Sequence, residues 1–183
     1  HELDPTDRYV LGMAVDFENR RVTPVDAIEI GMVDLHAGDE WVRLGESRAW
    51  NWQQGCMLQW IPHTDDEIIW NDRIGEGKGA RFVARILDVG ARTERLLPRP
   101  IYTITPDGTR ALGIDFARLG RWRPTYGYVG APDPTEGVPA PTDAGIYSMD
   151  LATGESEQIV SIAEVFATKR RAGAVAEHEH FIE

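Results

Sequence analysis

The chain has 183 residues, 42% hydrophobic and 27% charged, which is typical of one soluble globular domain with a sizeable core. Its net charge of −11 opposes nucleic-acid binding, and its apolar stretches are far shorter than the roughly 20 residues that span a bilayer. We therefore expect neither a nucleic acid nor a membrane as partner. The single cysteine, Cys56, excludes an internal disulfide and is predicted to be a buried small hydrophobe. The start lacks a signal-peptide pattern, so we expect a soluble protein of the cytoplasm or the periplasm.

The first predicted unit covers residues 1–46 and opens with a turn at residues 5–7. Proline fixes φ there, and the neighbouring Asp and Thr side chains supply the hydrogen bonds that a chain reversal needs. Predicted strands follow at residues 9–17, 29–34 and 40–44. The unit lacks a clear innermost strand before Pro5.

Two further units, residues 55–98 and 100–160, repeat the Pro turn and a later Asp–Gly turn, each with four predicted strands. The predicted strands are 57–60, 67–71, 81–87 and 93–97, then 101–105, 110–116, 145–149 and 155–160. Residues 117–144 are rich in Gly and Pro and are interpreted as a long inserted loop. Residues 161–171 are predicted to form a short helix capped by Ser161, and residues 178–183 to begin a further unit.

Four-stranded antiparallel units of about 40 to 50 residues are typical of β-propeller blades. The sequence therefore predicts an all-β fold, a β-propeller of four-stranded antiparallel blades, with three blades in this chain and an incomplete ring. The missing blades would come from the same protein or from another chain. An open antiparallel sandwich with similar hairpins is the alternative.

Two turns resemble those of a known group of propellers. They read Pro-Asp-Gly-Thr-Arg at residues 106–110, followed by Ala-Leu, and Met-Asp-Leu-Ala-Thr-Gly-Glu at residues 149–155. Both are similar to the repeats of TolB-like and oligogalacturonate-lyase-like β-propellers. That resemblance implies either a lyase that holds a divalent metal, Mn or Ca, with His and Gln side chains, or a non-catalytic propeller that binds a partner.

Strand alternation separates the loops into two sets. In an up-and-down blade the turns after the first and third strands share one face, while the other loops share the opposite face. We call this second set the loop rim; it comprises residues 18–24, 46–54, 72–79 and 117–144 and the connections between units. Aromatic faces stack on sugars, and arginines bind carboxylates with two hydrogen bonds, so the rim predicts an acidic oligosaccharide or glycan as ligand. The predicted substrate-binding residues are Arg48, Trp50, Asn51, Trp52, Gln53, Gln54, Arg73, Arg118, Arg121, Arg123, Tyr126 and Tyr128.

Each of these groups also has a structural interpretation. The tryptophans could wedge between blades, the amides could bond neighbouring backbone, the arginines could pair with carboxylates, and the tyrosines could cover a sheet. The Gly-rich stretch at residues 75–79 lacks the strand-to-helix setting of a phosphate-binding loop.

Two pairs of residues could carry catalysis. His178 and His180 would point the same way on a strand and could share a metal or act as acid and base. Asp72 and Asp115 occupy equivalent places in successive units and could act as the two carboxylates of a glycoside hydrolase, or cap turns and anchor arginines. The leading hypothesis is thus a lyase or hydrolase of acidic glycans, and the other is a non-catalytic propeller that binds a protein or glycan.

Overall fold

The structure is a computed structural model that describes residues 3–171, with side chains described through residue 168. These residues are mostly β and form three antiparallel sheets whose strands follow one another in chain order. Sheet one contains β1 (Tyr9–Ala14), β2 (Ile28–Asp34) and β3 (Glu40–Ser47). Sheet two contains β4 (Gln59–Trp60), β5 (Glu67–Ile74), β6 (Arg81–Asp88) and β7 (Thr93–Leu97). Sheet three contains β8 (Thr103–Ile104), β9 (Arg110–Gly113), β10 (Gly145–Asp150) and β11 (Ser156–Ser161).

The expected β-rich architecture is therefore confirmed, with three strands in the first unit and four in each of the others. An isolated bridge between Leu3 and Val10 stands where an innermost strand of sheet one would lie. Two strands end three residues earlier than predicted, β1 at Ala14 and β9 at Gly113. The chain leaves β9 because Asp115, two residues later, caps a helix.

Aspartate side chains close the hairpin turns, as the sequence predicts. Asp34 accepts a hydrogen bond from the His36 N–H at 3.0 Å, and Asp150 accepts two, from the N–H groups of Ala152 and Thr153, at 2.9 Å each. Such bonds stabilise a tight reversal by replacing a backbone acceptor.

The Pro turns and the later Asp–Gly turns lie side by side at one end of each sheet. The Val89 N–H donates to the Asp66 carbonyl at 2.8 Å, and the Leu151 N–H to the Thr109 carbonyl at 3.0 Å. Each bond joins the turn after the third strand of a sheet to the turn after its first strand. The longer loops therefore lie at the opposite end of the sheet.

Sheet two is the middle layer of a stack. Its central strand β5 is buried on both faces: Ile68 and Trp70 belong to a core cluster shared with sheet one, and Ile69 belongs to one shared with sheet three. Because neighbouring strand residues point to opposite faces, a nearly continuous apolar run serves both interfaces. Each fully buried Ile contributes roughly 1.5–3 kcal/mol. Cys56 is fully buried in the first cluster, as predicted, and burial raises the pKa of its thiol to about 12.

Buried polar side chains join neighbouring sheets. The Asn71 amide donates to the Ile101 carbonyl and accepts from the Ile101 N–H, both at 2.7 Å, and also donates to the Tyr128 hydroxyl at 3.0 Å. Between sheets one and two, the Ser47 hydroxyl donates to the Asn71 carbonyl at 2.7 Å. The stack is thus held by oriented bonds as well as by apolar burial.

A short helix, α1 (Phe116–Trp122), occupies the start of the insertion that the sequence analysis interprets as a loop throughout. That interpretation was wrong because it overlooked a capping residue: the Asp115 carboxylate accepts from the N–H groups of Ala117 and Arg118, both at 2.9 Å. Gly120 lets the helix approach Tyr128, whose carbonyl oxygen a Cβ at position 120 would meet.

The second helix, α2 (Ile162–Arg171), lies where the sequence predicts it. Ser161 and Glu164 form a capping box, in which the Glu164 N–H donates to the Ser161 hydroxyl at 3.1 Å and the Ser161 N–H donates to the Glu164 carboxylate at 2.7 Å. A single 3-10 turn spans Gly77–Gly79. Neither helix of the described residues has the length and apolar character to cross a membrane.

Candidate functional site

The loop rim is a connected surface. The Trp52 indole N–H donates to the Arg20 carbonyl at 2.9 Å, and the Asn51 amide donates to the Tyr126 carbonyl at 2.8 Å. Arg73 donates to the Pro24 carbonyl at 2.6 Å, which ties the loops of sheets one and two together. Loops that lie far apart in sequence therefore meet at one end of the stack, where topology predicts them.

The tryptophans of the rim form an aromatic cluster. The ring centroids of Trp50 and Trp52 are 5.2 Å apart, and Phe17 lies 5.8 Å from Trp50 and 5.6 Å from Trp52. The Arg20 guanidinium lies 3.4 Å from the centroid of Phe17 and pairs with Asp26 at 2.7 Å. Trp50 is 3% exposed and is part of the core between sheets one and two, whereas Trp52 is 44% exposed.

The amides of the rim mostly bond the protein itself. Asn51 is buried, and its carbonyl oxygen accepts from the N–H groups of Gln53 and Gln54 at 2.9 and 2.8 Å. Gln54 donates to the Tyr102 hydroxyl at 2.7 Å, and Gln53 is exposed. Asn51 therefore shapes the connection between sheets one and two.

Three of the five predicted arginines hold the insertion in place. Arg118 is 8% exposed and donates to the Thr135 hydroxyl at 3.1 Å and to the Pro139 carbonyl at 3.0 Å. Arg121 pairs with Asp133 at 2.8 Å, and Arg73 also reaches the Val129 carbonyl. The other two, Arg48 and Arg123, are exposed.

The two predicted tyrosines differ in environment. Tyr126 is 43% exposed. Tyr128 is buried, stacks on Phe116 with ring centroids 4.2 Å apart, and accepts a hydrogen bond from Asn71. Burial raises the pKa of the Tyr128 hydroxyl, so this side chain stays neutral and covers the sheet.

The two predicted carboxylates lie in separate environments. Asp72 is buried; one oxygen accepts from the Arg48 N–H at 2.9 Å and the other from the Arg85 Nε at 2.7 Å. Asp115 is half-buried, and burial raises its pKa, an effect partly offset by the N–H bonds that it accepts as a helix cap. Asp115 lines a cleft, described next, that Asp72 does not line.

A cleft of about 500 Å³ lies on the rim between sheets two and three. Three exposed cations line it, Lys78, Arg81 and Arg99, and within residues 3–171 none of them pairs with a carboxylate. Arg99 is positioned by a hydrogen bond of 3.1 Å to the Ser156 hydroxyl and by the ring of Tyr147, 3.9 Å away. The remaining walls are mainly apolar: Phe82, Pro98, Pro100, Phe116, Pro132 and Pro134.

The sequence predicts that the long loops share this end of the stack, but it predicts neither this cleft nor its cations. Lys78 belongs to the second rim loop, and Arg99 to the connection between sheets two and three. The available signal was the Pro-Arg-Pro sequence at residues 98–100, where two prolines restrict the backbone on either side of a charged residue.

The predicted metal ligands His178 and His180 lie outside the described residues, so the metal site remains a prediction. Within residues 3–171, no three His, Cys, Asp or Glu side chains come together as a group that could hold a metal ion.

The described part of the rim therefore offers one concave site whose charge is opposite to that of the chain. Guanidinium and ammonium groups beside proline and aromatic walls can hold a ligand with anionic groups and an apolar face. Comparisons of the chain with protein-family models, curated proteins and solved structures give no match, so the site is assigned from its own geometry.

Proposed function

We propose that the chain is part of a β-propeller and that the cleft between sheets two and three binds an acidic oligosaccharide. The observation that carries the proposal is the set of three cations, Lys78, Arg81 and Arg99, that line one cleft without carboxylate partners among the described residues. The chain has an excess of acidic residues, so three cations beside one cavity without carboxylate partners form a local positive patch that favours an anionic ligand.

The propeller part of the proposal is supported by how the sheets stack. Consecutive antiparallel sheets pack face to face in chain order, and their loops gather at one end. This is the arrangement of neighbouring propeller blades, which place binding loops on one rim.

The sugar part of the proposal is supported by the walls of the cleft. Proline and phenylalanine side chains present apolar surface, and the cavity volume of about 500 Å³ lies in the range of small-molecule sites. Uronate rings combine apolar C–H faces with carboxylates, so they match both kinds of wall. Each charge-assisted hydrogen bond contributes about 1.5–3 kcal/mol.

Isothermal titration calorimetry with a tri-galacturonate tests the proposal. We expect Arg81→Gln and Arg99→Gln each to weaken binding about tenfold, the equivalent of one lost charge-assisted bond. Arg21→Gln is the matched control, since Arg21 is exposed on another rim loop and does not line the cleft. Equal affinity for an uncharged trisaccharide, or equal weakening in the control, would count against the cleft.

A catalytic version of this function is favoured by one observation, the position of Asp115 in the cleft with a raised pKa. A carboxyl group whose pKa is raised by burial is a better candidate for a general acid on a glycosidic oxygen than an exposed one. Asp115→Asn keeps the helix cap and removes the acid. Under this version the variant binds the oligosaccharide but does not cleave it; cleavage by the variant would exclude the role.

The lyase version adds a divalent metal, Mn or Ca, held by His178 and His180. Metal analysis of the intact protein, compared with His178→Ala, tests it directly. Bound metal that is lost in the variant is the expected result, and metal-free protein would exclude this version.

A further inference from the structure

One position on the outer face of sheet three corresponds to a buried position of sheet two. Four residues before Asp88, Ala84 pairs with Leu97, and both lie under sheet three with 0% and 3% exposure. Four residues before Asp150, Ile146 pairs with Val160 on the equivalent side of sheet three, and Ile146 is 40% exposed. Among the described residues, Ile146 is therefore an exposed apolar side chain at a position where sheet two has a buried one.

A groove of about 250 Å³ deepens this face. Its floor includes Ile146 and Val160, and its sides come from α1 and α2 through Leu119, Trp122 and Val165. The groove is lined mainly by apolar side chains, so the transfer of another apolar side chain from water into it is favourable.

Sheet one, the first layer of the stack, presents a fixed and exposed indole on its outer face. Trp41 lies flat across Gly12 and Gly31 on the outer face of sheet one, where a Cβ on Gly31 would overlap its ring. Its N–H donates to the Glu29 carboxylate at 2.5 Å, and its side chain is 38% exposed. A tryptophan held in one orientation loses little entropy when it is buried by a partner.

We infer that a second copy of this chain docks sheet one onto sheet three and inserts Trp41 into the groove. The contact continues the interface between sheets one and two, where Trp70 projects from the same side of its sheet and packs near Gly45. The inference rests on the proposed propeller stacking, but it does not depend on the ligand.

The charges at the two faces permit this contact. On sheet one, Arg43 pairs with Glu29 at 2.8 Å, and on sheet three, Arg110 pairs with Glu157 at 2.9 Å. Arg43 also lies 3.5 Å from Glu46, so each of these carboxylates has a guanidinium partner, which reduces the repulsion between two copies of an acidic chain.

The contact joins different faces, so it repeats head to tail until it closes. Two copies supply six sheets, within the four to eight blades of closed propellers. A closed dimer is therefore the expected assembly.

Sedimentation velocity over a concentration series of the 183-residue chain tests the inference. We expect a dimer for the native sequence and a monomer for both Trp41→Ala and Ile146→Asp. Val25→Asp is the matched control, since Val25 is 85% exposed in a rim loop, and we expect it to remain dimeric. Circular dichroism checks that each variant keeps its strands.

An equimolar mixture of the two variants distinguishes this head-to-tail contact from a contact between two identical faces. Trp41→Ala keeps an intact groove and Ile146→Asp keeps an intact indole, so an equimolar mixture regains one native contact and forms heterodimers. A monomeric native chain, or a dimer that survives both substitutions, would overturn the inference. Neither outcome changes the calorimetry of the cleft, so failure of docking is distinguishable from failure of the proposed ligand.

Discussion

At the scale of single residues, Asp115 combines two roles whose pH dependence differs. Its carboxylate caps α1, while burial raises its pKa above the ordinary value near 3.9. A carboxyl group whose pKa is raised on folding contributes stability below its unfolded pKa, and that contribution is lost as the pH rises through the folded pKa. Ionisation of Asp115 therefore works against the fold at neutral pH.

Asp115→Asn should remove this pH dependence while keeping the cap. We expect the melting temperature of the variant, relative to the native chain, to increase as the pH is raised from about 3 to about 7. Thermal unfolding followed by circular dichroism measures the difference. Asp115→Ala lacks the carboxyl group and the cap, so it should follow the same trend with pH but lie about 1 kcal/mol below Asp115→Asn at every pH. If the melting temperature of Asp115→Asn, relative to the native chain, decreases as the pH rises, the raised pKa of Asp115 is contradicted.

Residue roles were the part of the site that sequence predicted least well. Arg118 and Lys78 are both cations on rim loops, yet Arg118 is buried among backbone carbonyls and Lys78 is exposed in the cleft. The difference depends on where the insertion folds back, and that is fixed by tertiary contacts such as the one between Asn51 and Tyr126. Local sequence carries no signal for such contacts.

At the scale of elements, one side chain links sheet two to the start of sheet three. Asn71 is fully buried and satisfies both the N–H and the carbonyl of Ile101. Substitution leaves both backbone groups buried without partners, so Asn71→Ala should destabilise the fold by about 2–4 kcal/mol. Urea unfolding gives this value.

Tyr128→Phe is the matched comparison. It removes only the hydroxyl bond to Asn71 and should cost about 1 kcal/mol. If the two substitutions lower the free energy of unfolding equally, the hydrogen bonds to Ile101 add no stability beyond the bond to Tyr128.

The strands were predictable because turn chemistry repeats. Asp34, Asp88 and Asp150 each begin a hairpin turn, and the strands on either side follow from their spacing. Helix α1 was missed because a seven-residue helix with an internal glycine has weak propensity; it forms because Asp115 caps it and Phe116 is buried against Tyr128.

At the scale of the whole molecule, the stack has two ends with different roles. One end carries short turns closed by their own aspartates, and the other carries the long loops and the basic cleft. Strand alternation alone predicts this division, because it depends only on the number and order of strands. The three antiparallel sheets stack in chain order, and the propeller remains part of the proposal.

The most direct measurement of the central claim is a titration of the isotopically labelled chain with tri-galacturonate, followed by NMR. The account predicts that the largest shift changes fall on Lys78, Arg81 and Arg99 and on their neighbours across the cleft. Shift changes confined to the turns at the opposite end, or none at saturating ligand, would contradict it.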